Sequence, residues 1–418
     1  MKSADTSVKK KKIMSIAACM VIQLCIGIVY MWSALKSDAA ASYGWDSAAA
    51  GMVYSFMLMS YVIGNFCGGF INDRKGPRIT CFIGVALFIA GLCGASFIKS
   101  IVMFDLTYGV MAGFGSGVAY GACISCIQKW MPDKMGLATG LACCSFGLSP
   151  VIFTPLISKL MNVFREGGIV NFRPVFLIVA GVAALFGITA TFFISLPENA
   201  AKALKAAPCA SDGSTVNYTF SQAVRTPAFW ALFFSILLIN GTWNLCVPLI
   251  KDLGMVRGLS EGAAIACVSF TGIANAAGRL LMAALSDKLG RYPVMYVLCA
   301  MNVIGAALMT FIGGAGYFAV ILMLAFAFGG PSSLNAAMST DLFGPKYSGT
   351  NYGAAMMAVG ISSILFNFIS ARFLHAGVDV AAGTSCGIVA TFIMASASSV
   401  IPFFLMMYIS HYLKKRGR

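Results

Sequence analysis

The sequence predicts an all-α membrane protein with about twelve transmembrane helices, arranged as two pseudo-symmetric six-helix bundles. Three observations predict it: an apolar composition, the number of long apolar runs and an internal repeat. Hydrophobic residues make up 59% of the 418 positions and charged residues only 10%, whereas soluble domains carry about 25% charged residues. Together with a mean hydropathy of +0.86, this composition requires most of the surface to face lipid.

The apolar runs are long enough for spanning helices, which need about 20 apolar residues each. They cover approximately residues 14–35, 47–71, 79–98, 103–128, 136–160, 174–195, 227–250, 261–285, 293–313, 316–334, 350–373 and 384–411. Four consecutive lysines precede the first run, and no small-residue cleavage signature follows it. We therefore expect a retained first helix and not a removed signal peptide.

The basic residues predict the orientation in the membrane. With the N-terminus in the cytoplasm, one side carries Lys9–Lys12, Arg74, Lys75, Arg78, Lys129, Lys134, Lys202, Lys205, Arg225, Lys288, Arg291, Lys346 and the tail 414–418. The other side carries a scatter of eight basic residues. This positive-inside pattern predicts a multi-pass protein of the cytoplasmic (inner) cell membrane with both termini cytoplasmic. The net charge of +15 does not indicate nucleic acid, because a nucleic-acid-binding face would not be divided into turns between apolar helices.

Two features could suggest a bound cofactor. The cysteines include the CxxC pair Cys123 and Cys126 and the adjacent Cys143 and Cys144, with neither histidine near them in the sequence. A glycine-rich stretch at 113–121 superficially resembles a nucleotide loop, but no strand precedes it. We expect the cysteines to pack as small apolar residues and the glycines to let helices approach closely. The sequence therefore predicts no metal and no cofactor.

The longest polar interruption, residues 196–226, divides the chain near its middle. We expect an N-terminal six-helix bundle at 1–195, a central cytoplasmic loop at 196–226 and a C-terminal six-helix bundle at 227–418. No run or loop is long enough for a further cytoplasmic domain.

A charged turn recurs at the same place in each half. The first copy contains Gly69, Asp73, Arg74, Gly76 and Arg78, and the second contains Asp287, Lys288, Gly290 and Arg291. The two aspartates are 214 positions apart, as are Gly76 and Gly290. A second echo pairs 134–140 with 346–353. Parallel repeats of this kind are typical of carriers that bind a substrate near the midplane between two halves. The charges of each turn can pair with neighbouring helix ends in one state and release them in another.

These turns resemble the signature loops of the major facilitator superfamily. Other stretches resemble its oxalate/formate antiporter family, which is related to monocarboxylate carriers: residues 72–78, 130–140, 225–230, 278–279, 286–292, 341–344 and 351–353. The likeness covers almost the whole chain except the tails and the central loop. It implies the major facilitator fold and a secondary transporter without enzymatic activity.

Arg279 is a charge placed deep inside a span. It precedes Asp287 by eight residues, which is about 12 Å of helix, so it lies close to the midplane of a hydrocarbon core about 30 Å thick. An arginine there costs about 2.5–3.5 kcal/mol, and the sequence places no acid deep in any span. A guanidinium binds a carboxylate through two parallel hydrogen bonds, so we expect a small carboxylate anion to offset the cost. The alternative is an arginine that locks helices by bonding backbone carbonyls.

Other polar and aromatic residues are candidates for the same site. Thr271, Asn275 and Arg279 recur every four residues and therefore share one helix face. Further candidates are Tyr30, Trp32, Tyr120, Asn240, Trp243, Asn244, Phe328, Ser332 and Asn335. For each of these the alternative is packing or interfacial anchoring, which we favour for Trp32. The resemblance implies that Arg279 is a substrate-binding arginine and Tyr120 a cavity tyrosine.

The resemblance also bears on the substrate. The oxalate carrier has a second cation in the eleventh span, where this chain has Val359. One cation suits a monoanion, so we expect formate, lactate or pyruvate in preference to oxalate. Monocarboxylate carriers have an acid at the position of Asn275, and its absence favours anion exchange or facilitated transport over a fixed-carboxylate proton relay. We expect the protein to be a monomer. Proton-coupled symport and a transporter-like nutrient sensor remain the alternatives.

Overall fold

The structure is a computed structural model that describes residues 2–28, 32–198, 200, 217–246, 250–375 and 386–415. Most of these residues are helical. A small antiparallel hairpin interrupts them, in which β1 (Arg165–Glu166) pairs with β2 (Ile169–Val170). Gly167 and Gly168 form its turn at φ values of 57° and 85°, a conformation that glycine adopts without a steric cost.

Before residue 196, the part of the chain that the structure describes contains seven helices of twelve or more residues. They are α1 (Lys2–Ile26), α2 (Trp32–Tyr43), α3 (Ser47–Lys75), α4 (Pro77–Ala95), α5 (Ile101–Trp130), α6 (Met135–Val163) and α7 (Phe172–Phe192). Single π-helical turns occur within α5 and α7, at Asp105–Ala112 and Ala184–Ile188. The hairpin lies between α6 and α7.

From residue 217 onwards, the described residues form eight helices, the first of which lies within the predicted central loop. They are α8 (Phe220–Val224), α9 (Pro227–Cys246), α10 (Ile250–Val256), α11 (Glu261–Leu289), α12 (Arg291–Leu308), α13 (Gly314–Phe343), α14 (Ser348–His375) and α15 (Cys386–Lys415). Among the described residues of the whole chain, ten helices are long and apolar enough to cross a membrane. The other two predicted spans, 14–35 and 350–373, correspond to α1 with α2 and to α14. Large apolar side chains are exposed along these helices, as lipid contact requires; examples are Phe56, Phe82, Phe186, Phe234 and Phe404.

The first predicted span, 14–35, contains the end of one described helix and the start of another. Helix α1 ends at Ile26, and α2 begins at Trp32. Directly after α1, a Cβ atom on Gly27 would come within 2.6 Å of the Phe146 carbonyl oxygen, so Gly27 lies too close to α6 for any side chain. Trp32 is 1% exposed and donates from Nε1 to the Ala50 carbonyl at 2.8 Å. The expectation that Trp32 anchors the chain at the membrane interface is therefore wrong, because its ring is packed in the protein.

The chain forms two compact units that do not coincide with its two halves. One unit contains residues 1–138, 145–220 and 343–357, and the other contains 139–144, 221–342 and 358–418. The start of α14 therefore belongs to the unit that is otherwise built from the first half. A six-residue piece of α6 belongs to the unit built from the second half. The predicted boundaries at 195 and 227 remain a prediction.

In the first unit, glycines bring α3 and α5 into contact. A Cβ atom on Gly64 would lie 2.1 Å from the Phe114 carbonyl oxygen, and one on Gly117 would lie 1.9 Å from the Tyr61 carbonyl oxygen. Only hydrogen fits at these positions, which confirms the interpretation of the glycine-rich stretch as a packing surface. Cysteines also act as small packing residues here, because the fully buried thiols of α4 and α5 meet at Cys81 and Cys123, 3.6 Å apart.

In the second unit, hydroxyl groups join α9 to α15. Thr242 Oγ1 donates to the Ala395 carbonyl at 2.9 Å and lies 2.6 Å from Ser399 Oγ. All three residues are fully buried. Their hydrogen bonds to each other satisfy polar groups that lipid could not. Beside this contact an apolar cluster joins α9, α10, α11 and α13; it includes Cys246, Leu253, Cys267, Tyr317 and Leu324. These helices hold α11, which carries Arg279, inside the unit.

Candidate functional site

Helix α11 carries the polar stripe that the sequence predicts. The helix begins after Ser260, whose Oγ accepts from the Ala263 amide at 3.3 Å, a side-chain cap that fixes its start. Thr271, Asn275 and Arg279 are 8%, 9% and 4% exposed. The stripe therefore faces the interior of the protein, and the Arg279 side chain does not face lipid.

Two hydrogen bonds orient the Arg279 guanidinium. Its Nε donates to Asn275 Oδ1 at 2.7 Å, and its Nη1 donates to the Cys143 carbonyl at 3.4 Å. The first bond is short and links two members of the stripe. The second is long. It is a bond to a backbone carbonyl, the kind of contact expected if the arginine served to lock helices together. Thr271 instead donates to the Val268 carbonyl of its own helix at 2.6 Å.

A tight crossing of α11 and α13 lies beside Arg279. A Cβ atom on Gly278 would meet the Phe326 carbonyl oxygen at 2.1 Å. One on Gly329 would meet the Asn275 carbonyl oxygen at 2.1 Å and the Arg279 amide nitrogen at 3.1 Å. Each helix therefore needs glycine where it touches the other, and the crossing fixes the backbone from which Arg279 extends.

An aromatic pair lies next to this crossing, within the second unit. Phe328, next to Gly329 on α13, stacks on Trp243 of α9 with ring centroids 5.3 Å apart and planes 18° apart. Asn244, the neighbour of Trp243, donates from Nδ2 to Ser362 Oγ at 3.2 Å. These three predicted candidates thus share one unit with Arg279, and they are partly buried.

Two other predicted candidates, Tyr120 and Asn240, have different surroundings. Tyr120 belongs to the first unit, where it is 1% exposed and its ring packs against Tyr61 at 5.3 Å and Phe146 at 5.0 Å. Asn240 donates to the Ile236 carbonyl of its own helix at 2.6 Å. Tyr30 lies outside the described residues.

The two signature turns have the same backbone geometry. The Gly76 amide donates to the Asn72 carbonyl at 2.9 Å, and the Gly290 amide donates to the Ser286 carbonyl at 3.0 Å. Their φ values are 85° and 90°, in the region that favours glycine. In each turn, a single glycine separates the end of one helix from the start of the next. The repeat read from the sequence is therefore present in the backbone.

The acids of the two turns make different bonds. Asp73 Oδ2 accepts from the amide of Thr350 at 2.9 Å and from its hydroxyl at 2.6 Å. In the second turn, Arg291 pairs with Asp287 through Nη1 and with Asp341 Oδ2 through Nε at 3.2 Å. The first acid therefore binds a helix start on α14, whereas the second is held within an ion-pair network.

The other residues of the turns have simpler environments. Gly69 is needed for close packing, because a Cβ atom there would meet the Gly349 carbonyl oxygen at 2.5 Å. The side chains of Arg74 and Lys288 are exposed. Arg78 is also exposed, and its guanidinium lies over the Phe192 ring at 5.6 Å from the centroid.

Sequence reasoning missed four groups, on three residues, at these sites: the Cys143 carbonyl, the Ser362 hydroxyl, and the amide and hydroxyl of Thr350. Backbone carbonyls and lone hydroxyls carry no spacing signal in the sequence. Thr350 did lie within the second echo, at 346–353, but nothing there identified Asp73 as its partner.

The fold, the repeated turns and the family comparison define the class of protein. Residues 16–367 match the family model of the Major Facilitator Superfamily, so the chain belongs to this superfamily of membrane transporters. Its fold is that of the Escherichia coli fucose:proton symporter, with a TM-score of 0.73 over 96% of this chain and 99% of that one at 12% identity.

Curated relatives include carriers of small carboxylates. The chain is 28% identical over 396 residues to the oxalate:formate antiporter of Oxalobacter formigenes, which covers 93% of this chain and 89% of the relative. It is 22% identical to apicoplast pyruvate carrier 1 of Toxoplasma gondii, over 88% of this chain and 86% of the relative. The predicted resemblance is therefore confirmed along the chain, which is a multi-pass membrane transporter.

Proposed function

We propose that this chain exchanges small monocarboxylate anions, such as formate, lactate or pyruvate, across the cell membrane by alternating access. Arg279 binds the carboxylate. One observation carries the proposal: Arg279 is 4% exposed, and its guanidinium is oriented by a 2.7 Å bond from Nε to Asn275 Oδ1. A buried, permanently charged and oriented fork is suited to a carboxylate. The printed names of the two relatives, which mention oxalate, formate and pyruvate, support the same class of substrate.

The preference for a monoanion depends on residue 359. Val359 is partly buried on α14, where the resembled oxalate carrier has its second cation. A single guanidinium balances one negative charge. A dianion would keep an uncompensated charge in a low-dielectric site, which is costly. Formate, lactate and pyruvate therefore fit better than oxalate.

Exchange is favoured over proton symport because position 275 carries an amide. Asparagine cannot take up a proton in the transport range of pH, so it gives no titratable relay beside the arginine. We further propose that both termini face the cytoplasm and that the protein works as a monomer. In this orientation the lysine-rich start of α1 lies on the cytoplasmic side.

The test is transport by purified protein in liposomes loaded with unlabelled carboxylate. Wild type is expected to take up labelled formate or pyruvate only when a carboxylate is present inside. Arg279→Gln is expected to lose uptake, and Arg279→Lys to retain a small part, because lysine keeps the charge and loses the fork. Arg165→Gln, which removes an exposed surface arginine, is the matched control. Normal uptake by folded Arg279→Gln protein rejects the proposal.

A binding assay ranks the substrates independently of transport. A ligand that binds only the folded state raises the unfolding temperature by mass action. Formate, lactate, pyruvate and oxalate are compared in wild type and Arg279→Gln. We expect monocarboxylates to protect wild type more than oxalate does, and none of them to protect the variant. Proton movement measured in the same liposomes distinguishes exchange from symport.

A further inference from the structure

A short piece of α6 belongs to the same compact unit as Arg279. This piece, residues 139–144, comes from the first half of the sequence. It packs on α11 at Gly140, where a Cβ atom would meet Ala283 Cβ at 2.9 Å and the Arg279 carbonyl oxygen at 3.0 Å. The backbones of α6 and α11 are therefore in close contact beside Arg279. This contact is possible because Gly140 has no side chain.

One turn further along α6, the chain touches the guanidinium itself. The Cys143 carbonyl accepts from Arg279 Nη1 at 3.4 Å. This bond and the bond from Nε to Asn275 Oδ1 approach the guanidinium from two helices. Two such contacts define the plane of the fork, so α6 helps to set the direction in which Arg279 presents its donors.

The next residue, Cys144, differs from Cys143 in exposure. The Cys143 side chain is fully buried, whereas Cys144 is partly exposed. The Cys144 thiol interacts electrostatically with Arg279. Cys144 directly follows the residue whose carbonyl accepts from Arg279 Nη1, so a partly exposed thiol lies on the same short stretch of α6 as that contact. A thiol is a small, polarisable group with a weak S–H donor, and such a group tolerates both the carboxylate and the apolar part of a small organic acid.

We propose that the anion site is shared by α11 and α6: the Cys143 carbonyl orients Arg279, and the Cys144 side chain lines the space in which the anion meets the guanidinium. This inference rests on the proposed function, and it adds two residues of the fifth predicted span that the sequence analysis had interpreted only as small packing residues. It also makes the site accessible to thiol chemistry, because Cys144 is its partly exposed nucleophile.

Charge-selective labelling tests the inference. The full-length protein is treated with sulfonatoethyl or trimethylammonioethyl methanethiosulfonate. In each case the thiolate attacks the reagent sulfur, methanesulfinate leaves, and a mixed disulfide forms while the thiol proton passes to solvent. Mass spectrometry of the peptides measures the rate at Cys144 and, as an internal reference, at the similarly part-exposed Cys93 on α4. A neighbouring cation attracts the anionic reagent and repels the cationic one.

At Cys144 we expect the ratio of anionic to cationic labelling rates to exceed that at Cys93 by about tenfold. Arg279→Gln should bring the two ratios together, and Arg279→Lys, which keeps the charge, should preserve the difference. Equal ratios in wild type, a difference that survives in Arg279→Gln, or failure of the anionic reagent to label Cys144 overturns the inference. Cys144→Ala serves to confirm the peptide assignment.

Carboxylate protection separates this inference from the proposed function. If pyruvate or formate slows labelling of Cys144, both are supported. If the charge preference is present and depends on Arg279, but no carboxylate slows labelling or stabilises the protein, the proposed function fails and the shared anion-attracting site stands. If carboxylates stabilise the protein through Arg279 while Cys144 shows no charge preference, the function stands and the α6 contribution is rejected.

Discussion

Asp73 and Thr350 are 277 residues apart in the sequence, and the carboxylate of the first accepts both the amide and the hydroxyl hydrogen of the second. Thr350 lies in the first turn of α14, where backbone amides lack intrahelical partners and carry a partial positive charge. Lys129 of α5 is close enough to interact electrostatically with Asp73. A turn in the first half is thereby tied to a helix start in the second half, within one compact unit.

This contact predicts that Asp73→Asn slows transport. A hydrogen bond to a charged group contributes about 1.5–3 kcal/mol, so its loss changes the population of the tied state by roughly 10- to 150-fold. Liposome exchange rates measure the effect. A double-mutant cycle with Thr350→Val isolates the hydroxyl contact, and purely additive effects on stability would contradict a direct interaction. Arg74→Gln, next to Asp73 but exposed, is the control for general damage to the turn.

The crossing of α11 and α13 predicts different effects for two glycines of one helix. Gly278→Ala places a methyl group where the Phe326 carbonyl oxygen lies, and the overpacking is expected to cost about 1–3 kcal/mol and to weaken anion binding by moving Arg279. Gly272→Ala meets nothing within 4 Å and is expected to leave unfolding temperature and binding unchanged. Equal thermal stability of the two variants would show that the helices do not cross as described.

The contact between Asn275 and Arg279 predicts that Asn275→Asp makes carboxylate binding and uptake depend on pH. An aspartate introduced at position 275 places a carboxylate 2.7 Å from Arg279 Nε, if it keeps the asparagine geometry. It should neutralise the guanidinium and suppress carboxylate binding at neutral pH. Because protonation of that carboxyl removes its charge, binding and uptake by Asn275→Asp are expected to recover as the pH falls. Wild-type uptake measured over the same pH range is the reference, and equal profiles for the two proteins would argue against the Asn275–Arg279 contact.

The ion pairs of Arg291 and Arg165 predict unequal contributions to stability. Arg291 and Asp287 side chains are 13% and 11% exposed, and Asp341 shares the same arginine. Arg291→Gln leaves the largely enclosed Asp287 carboxylate without its cation, beside the Asp341 carboxylate, whose side chain is 30% exposed. We therefore expect a loss of about 3–5 kcal/mol. Arg165 pairs with Asp38 at 2.7 Å, but the two side chains are 35% and 28% exposed, and Arg165→Gln should cost about 0–1 kcal/mol. Thermal unfolding of both variants decides whether burial governs the difference.

Local features of the sequence were sufficient for much of this description. Apolar runs of spanning length indicate membrane helices, since lipid requires the backbone to satisfy its own hydrogen bonds. The paired turns at Gly76 and Gly290 predicted the repeat, because only a residue without a side chain allows both reversals. The isolation of Arg279 in an apolar run marked it as a functional candidate, since a charge at that depth is costly.

Tertiary structure alone decided which groups those residues meet. Gly27 has no room for a side chain because α6 passes close to it, and Trp32 is buried with its indole bonded to the Ala50 carbonyl. Asp73 finds Thr350, and Arg279 finds the Cys143 carbonyl, through contacts between segments far apart in the chain. Composition and periodicity report how each segment relates to lipid and to its own helix. They contain no information about which distant backbone comes near, because that depends on how all the helices pack at once.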